Sequence, residues 1–172
     1  MDFLNNIEAT SSSSTCQWEH DVFLGFRGDD TGEGFTSHLY KALCDKGIHT
    51  FIDEKLQKGE EISEELIQAI KNSSILVVVF SEKYAESKWC LDELAEMVEC
   101  SEKDQKVQII PVFYKVDPSE IRNQKGNFGI ALANHGEEFK NNKDKVQRWG
   151  DALRKAANKT GCHYKKGYVS NC

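Results

Sequence analysis

Apolar residues fall into two rhythms along this chain: short unbroken runs, and stretches that recur every three or four positions. The clearest pair lies in residues 75–100, ILVVVFSEKYAESKWCLDELAEMVEC. Residues 75–80 form an apolar run of strand length, β-branched at Ile75, Val77, Val78 and Val79, that stops at Ser81. After a polar connection, Leu91, Leu94, Ala95 and Val98 return at helical spacing, which predicts strand, loop, helix. Trp89 and Glu93 stand four apart, so a helix begun by Trp89 puts an aromatic ring and a carboxyl on one face just beyond the strand's end. A binding site can be built there.

The same alternation runs through the rest of the chain. Residues 1–20 include TSSSST and little that can pack, and read as a mobile leader to a single domain over residues 21–172. DVFLGF (21–26) is apolar on both faces, the mark of a strand covered on both sides. RGDDTGEG then turns the chain into a helix marked by Phe35, Leu39, Ala42, Leu43 and Lys46 and ended by Gly47. Residues 48–52 predict a second strand, followed by the charged loop DEKLQKGEE and a helix carrying Ile62, Leu66, Ala69 and Ile70. Residues 107–114 predict a fourth strand, in which Pro111, lacking an N–H for the ladder, points to an edge or an irregularity. Asp117-Pro118 reads as a helix start, with aspartate as cap and proline at the first helical position. The glycine-interrupted stretch up to residue 142 is weakly patterned, a clearer helix follows with Val146, Trp149, Leu153, Ala156 and Ala157, and residues 162–169 predict a short fifth strand.

Strands alternating with helices in this way predict an α/β, flavodoxin-like three-layer fold: a five-stranded parallel sheet of order 2-1-3-4-5 with helices on both faces. Its switch point lies between strands 1 and 3, where ligands bind outside the carboxyl ends of the strands. The loops flanking that crevice are residues 27–34 and 81–89, with Glu93 just beyond the second.

Length and charge narrow the function. A chain of 172 residues with 39% apolar content suits one domain with a real core. A net charge of −6 with acids and bases interspersed argues against a nucleic-acid or anionic-membrane surface, and Lys143, Lys145, Arg148, Arg154 and Lys155 read as a solvated helix face. No apolar stretch approaches the roughly 20 residues needed to span a bilayer. Cys16, Cys44, Cys90, Cys100, Cys162 and Cys172 show no CxxC or metal-like pairing, which predicts free thiols, no metal site and a cytoplasmic location, with the nucleus as a further one.

Several chemistries sharing this topology fail on the residues. A phosphate-accepting receiver needs an aspartate at the end of strand 3, where this chain has Phe80-Ser81, although Asp29 and Asp30 are available after strand 1. There is no P-loop, and Gly28, Gly32 and Gly34 do not make GxGxxG. Ser81 lacks the GxSxG elbow, and His38, His49 and His135 read as helix-surface, strand-end and loop residues. Asp92 and Glu93, adjacent on a helix, point about 100° apart and cannot act as a matched acid/base pair. On pattern alone Glu93 is a solvated helix acid and Trp89 a rim residue packed on the core.

Larger blocks add to this reading. DVFLGFRGDDT, FTSHLYKAL, GIHTFIDEKLQKGEEI, SSILVVVFSEKYAESKWCLDELAEMVEC, IIPVFYKVDPSEIRNQKGNFG and VQRWGDALRKAAN resemble, in order and spacing, the TIR domain of plant immune receptors over residues 21–161. The resemblance implies the flavodoxin-like fold, signalling by self-association with like chains and other TIR domains, and cleavage of NAD⁺ or NADP⁺ at the nicotinamide–ribose bond, with the dinucleotide as substrate and no further cofactor. It puts the catalytic glutamate of the WCLxEL motif on Glu93 and implies substrate contacts for Phe26, Arg27, Gly28, Ser87 and Trp89. Asp53, Glu54, Lys55, Leu56 and Gly59 correspond to the BB loop that reaches a neighbouring protomer, and Ser37 and His38 to a self-association pair. Two departures stand out. Gly32 occupies the place of an arginine in the usual FRGEDTR, and the family's last helix is expected to be missing after the fifth strand.

Overall fold

The computed structural model describes residues 18–53, 62–165 and 168–170. Its element order is β1 (His20–Phe26), a π-helical segment (Gly28–Thr36), α1 (Ser37–Asp45), β2 (Thr50–Ile52), α2 (Glu64–Lys71) and β3 (Ser73–Phe80). A 3-10 turn (Tyr84–Glu86) leads to α3 (Lys88–Lys103), then β4 (Gln108–Tyr114), α4 (Pro118–Arg122), α5 (Gly126–Glu138), α6 (Lys143–Ala157), β5 (Cys162–Lys165) and β6 (Tyr168–Ser170). The expected leader lies outside the described residues except for its last three, of which Trp18 packs on the core and His20 opens β1.

The sheet has the order β2-β1-β3-β4-β5-β6. β1 through β5 are parallel, in the predicted 2-1-3-4-5 arrangement. The stretch expected as one fifth strand is instead a hairpin, because β6 turns back antiparallel with Tyr164 opposite Val169. Pro111 is not at an edge: it pairs with Val78 inside the sheet, and the β5 ladder begins only at Val112, one residue later. The missing N–H therefore falls where no β5 partner has yet arrived.

The pleat of β3 divides the core. Leu76, Val78 and Phe80 point into one cluster with α2, α3, α5 and α6, while Val77 and Val79 point into the other with Phe35, Leu39 and Leu43 from the α1 side. Helix starts are capped where the sequence supplies an oxygen: Ser63 for α2, Ser87 for α3, Asp117 for α4 and Asn142 for α6. Gly47, at φ 75°, ends α1 in the left-handed region.

The weakly patterned stretch before residue 142 contains a full helix, α5. Its periodicity is blurred by Gly129, where a Cβ would sit 2.3 Å from the Gln124 carbonyl oxygen. His135 is a buried residue of this helix rather than a loop residue, with Nε2 2.9 Å from the Ala85 carbonyl oxygen. The basic residues of α6 are not simply solvated either. Arg148 bonds Glu96 and Glu99, Lys145 pairs with Asp92 and Lys155 with Glu102, which zips α6 to α3. Cys44, Cys90 and Cys100 are free thiols, but Cys162 is disulfide-bonded, a correction to the expected six free thiols that motif and compartment arguments cannot foresee.

Candidate functional site at the switch point

β1 has β2 on one side and β3 on the other, so the chain departs in opposite directions from the β1/β3 junction and the loops beyond both strands meet over it. Asp30 ties them together. Its carboxylate accepts from Arg27 Nη1 at 2.6 Å, from Ser81 Oγ at 2.6 Å and from the Lys83 backbone N–H at 3.1 Å. Arg27 also lies 3.7 Å from both Asp29 and Glu86. The guanidinium expected to contact substrate is thus already surrounded by acids.

The helix beneath the second loop is aimed by its own cap. Ser87 accepts from the Cys90 N–H at 3.2 Å, Tyr84 donates its hydroxyl to the Cys90 carbonyl at 3.0 Å, and the Cys90 thiol points to the Phe26 carbonyl at 3.6 Å. On the far side of α3, the Trp149 indole donates to Asp92 at 2.8 Å. Asp92 is therefore structural, and its neighbour Glu93 faces β1.

Glu93 is not the solvated acid that pattern alone suggests. It is 4% exposed, and Oε1 has no hydrogen-bond partner among the described residues. Burial pushes its carboxyl well above the usual range, and the nearby Asp53 carboxylate pushes it further the same way. Burial, with Glu93 close by, also pushes the Cys90 thiol up to about 12, so this cysteine is no nucleophile.

The structure brings Arg27, Gly28, Ser87, Trp89 and Glu93 to one end of the sheet, with Trp89 half-buried on the first turn of α3. Phe26 is at the same end, but its ring packs in the opposite cluster, where a Cβ on Gly32 would lie 3.4 Å from it. Of the expected BB loop only Asp53 is described; Glu54, Lys55, Leu56 and Gly59 lie outside the described residues. Ser37 and His38 are exposed on the first turn of α1, away from the crevice, and both side chains bond the Gly34 carbonyl. Sequence reasoning missed the Asp30 clasp and the contact of Gly25 with Glu93. The clasp was findable in part, since Asp30 and Ser81 lie in the two loops that follow the strands flanking the switch point; the contact with Gly25 was not. Among the described residues no group of three His, Cys, Asp or Glu side chains is gathered to hold a metal, and no helix is long and apolar enough to cross a membrane.

Comparison with known proteins agrees with this geometry. A family model described as TIR domain matches residues 19–171. The disease resistance protein RUN1 of Vitis rotundifolia is 52% identical over 88% of this chain and 11% of its own length, and the TMV resistance protein N of Nicotiana glutinosa 51% over 88% and 13%. The chain thus spans little more than a tenth of these curated relatives. The TIR domains of the activated Roq1 resistosome, a structure described as directly recognizing the pathogen effector XopQ, superpose with a TM-score of 0.78 at 47% identity, covering 87% of this chain and 90% of that one.

Proposed function

The chain belongs to the TIR domain family, and from that premise we propose that it is a plant immune signalling module that self-associates and, once assembled, hydrolyses NAD⁺, with NADP⁺ as a second candidate substrate, at the nicotinamide–ribose bond. One observation carries the reading: Glu93, on the second turn of α3, is buried against Gly25 near the C-terminal end of β1, the strand that Arg27 follows. The chemistry suits a lone carboxylate. Nicotinamide leaves as a neutral molecule from a cationic linkage, so no general acid is required. A carboxylate near the ribose accepts hydrogen bonds from its hydroxyls and stabilises the oxocarbenium-like transition state as positive charge moves onto the sugar. Arg27 pairs with phosphate oxygens, and Ser87 and Trp89 line the crevice.

On this reading assembly has two groups to free. Arg27 is engaged by Asp30, and Glu93 is buried where its carboxyl is pushed well above the usual range. Contacts from a neighbouring protomer are what would release both groups. The reaction uses NAD⁺ as substrate and no additional cofactor, and its place is the cytoplasm, with the nucleus as a second site. The test is nicotinamide release by the protein at high concentration on a crowding surface, wild type beside Glu93→Ala. Release that disappears in the variant supports the reading; release left unchanged removes Glu93 from the catalytic role.

The acids around Arg27 favour a second reading, a binding module that acts only through contacts with other TIR domains. Under it, Ser37→Ala/His38→Ala abolishes partner binding and signalling, while Glu93→Ala changes neither.

A further inference from the structure

Gly25 lies in β1, opposite Val78 of β3, and is buried. A Cβ at this position would stand 2.4 Å from Glu93 Oε1, while the next nearest atoms, Glu93 Cδ and Met97 Sδ, are at an ordinary 3.5 Å. Among the described residues, the tip of the Glu93 carboxyl is what fills the space that a side chain on β1 would take. That tip makes no hydrogen bond among the described residues and is shut off from solvent. No bond draws it there, and burying a polar group without a partner is unfavourable. It sits there because β1 leaves room.

We propose that Gly25 is a positioning residue for Glu93: by presenting no side chain, β1 opens a niche that stows the carboxyl behind the crevice, and occupancy of that niche sets how much of the protein holds Glu93 ready for the ribose. The functional half of this statement rests on the nucleosidase reading above; the niche does not. In the niche, burial and the Asp53 carboxylate both oppose the charged form of the carboxyl. Around it stand the Tyr84 hydroxyl from the 3-10 turn and the Cys90 thiol from α3 itself, both of which Glu93 pushes upward in turn. Arg27, on the loop after β1, is occupied by Asp30, and the cations Lys145 and Arg148 of α6 are paired on the other face of α3 with Asp92, Glu96 and Glu99. None of these supplies the stowed carboxylate with a positive partner. An ionised Glu93 has to leave the niche or accept the cost of staying.

A methyl group at position 25 evicts the carboxyl without replacing any crevice residue. In Gly25→Ala, carbon-detected NMR of the Glu93 side chain should show its titration midpoint moving down toward the ordinary carboxylate range. The acid limb of the pH profile for nicotinamide release by assembled protein should move down with it, raising the rate at the acid edge several-fold. A midpoint and an acid limb that stay where they are in the wild type overturn the proposal, as does a uniform loss of rate with both unmoved, which is what a merely structural glycine would produce. If Gly25→Ala folds poorly, Gly25→Ala/Glu93→Ala should recover the stability of Glu93→Ala, because the clashing carboxyl is gone. A double variant as unstable as Gly25→Ala alone overturns the contact. A midpoint that moves while neither protein releases nicotinamide upholds the niche and places the failure in the nucleosidase reading.

Discussion

The rotation of α3, which decides where Glu93 points, is held from behind by one buried hydrogen bond, and its strength can be worked out. Trp149 is fully buried and donates its indole N–H to Asp92 at 2.8 Å, while His135 and Phe139 meet its ring edge-on at 5.2 and 5.5 Å. Trp149→Phe keeps an aromatic ring for those two neighbours but removes the donor. A hydrogen bond to a carboxylate is worth about 1.5–3 kcal/mol. The space left by the missing indole atoms adds about 1 kcal/mol. Asp92 retains only the Lys145 ammonium, 3.4 Å away and partly exposed, which recovers little of the loss. The expected cost is about 2.5–4 kcal/mol, or roughly 10 °C in Tm for a domain of this size. Urea unfolding of Trp149→Phe, Asp92→Ala and the double variant measures it, and the coupling between the two sites should be about 1.5–3 kcal/mol. Additive effects, with coupling below about 0.5 kcal/mol, would show that the bond does not hold the two helices together and would refute the reasoning.

Glu93→Gln should stabilise the fold more and more as pH rises. The folded wild type keeps the Glu93 proton at pH values where the unfolded chain has lost it, so that contribution is complete below the ordinary 4.5 and is lost going upward. The difference between the two proteins should therefore grow by up to about 1.4 kcal/mol per pH unit across the window, and parallel stability curves in urea between about pH 5 and pH 8 would contradict the buried carboxyl. Ser87→Ala removes the cap of α3 and should cost about 1 kcal/mol, read by calorimetry as a fall of about 2–4 °C in Tm; an unchanged Tm would mean the 3.2 Å bond to the Cys90 N–H contributes nothing.

What the sequence made legible follows from where the information sits. The central parallel strands were readable because β1, β3 and β4 are largely buried on both faces: the run at residues 75–80 needs no partner to be recognised, and the 2-1-3-4-5 order is the common arrangement for strands joined by crossover helices. β6 was not, because residues 162–169 carry no apolar rhythm whose interruption would separate two strands. α5 was hidden by its glycines, one of which exists to let the Gln124 carbonyl approach. The α3–α6 zipper could have been found. Asp92, Glu96, Glu99 and Glu102 recur at helical spacing, and so do Lys145, Arg148 and Lys155, but opposite charges on two separate helices say nothing of contact until the helices are placed. The burial of Glu93 depends on an absent side chain in a strand far earlier in the chain, and no local pattern around WCLDEL records it.

Under the nucleosidase reading proposed above, the substrate is one that the whole cell holds in common, and a protein that consumes it has to be quiet when not called on. A carboxyl parked in the space that Gly25 leaves makes quietness a matter of population. If the competent state is a small fraction of the resting protein, every tenfold reduction in that fraction asks assembly for about 1.4 kcal/mol more before the reaction starts. On that reading, contacts between protomers do not merely gather active sites but supply the work of setting one, and a missing methyl group on β1 sets the concentration at which the reaction begins.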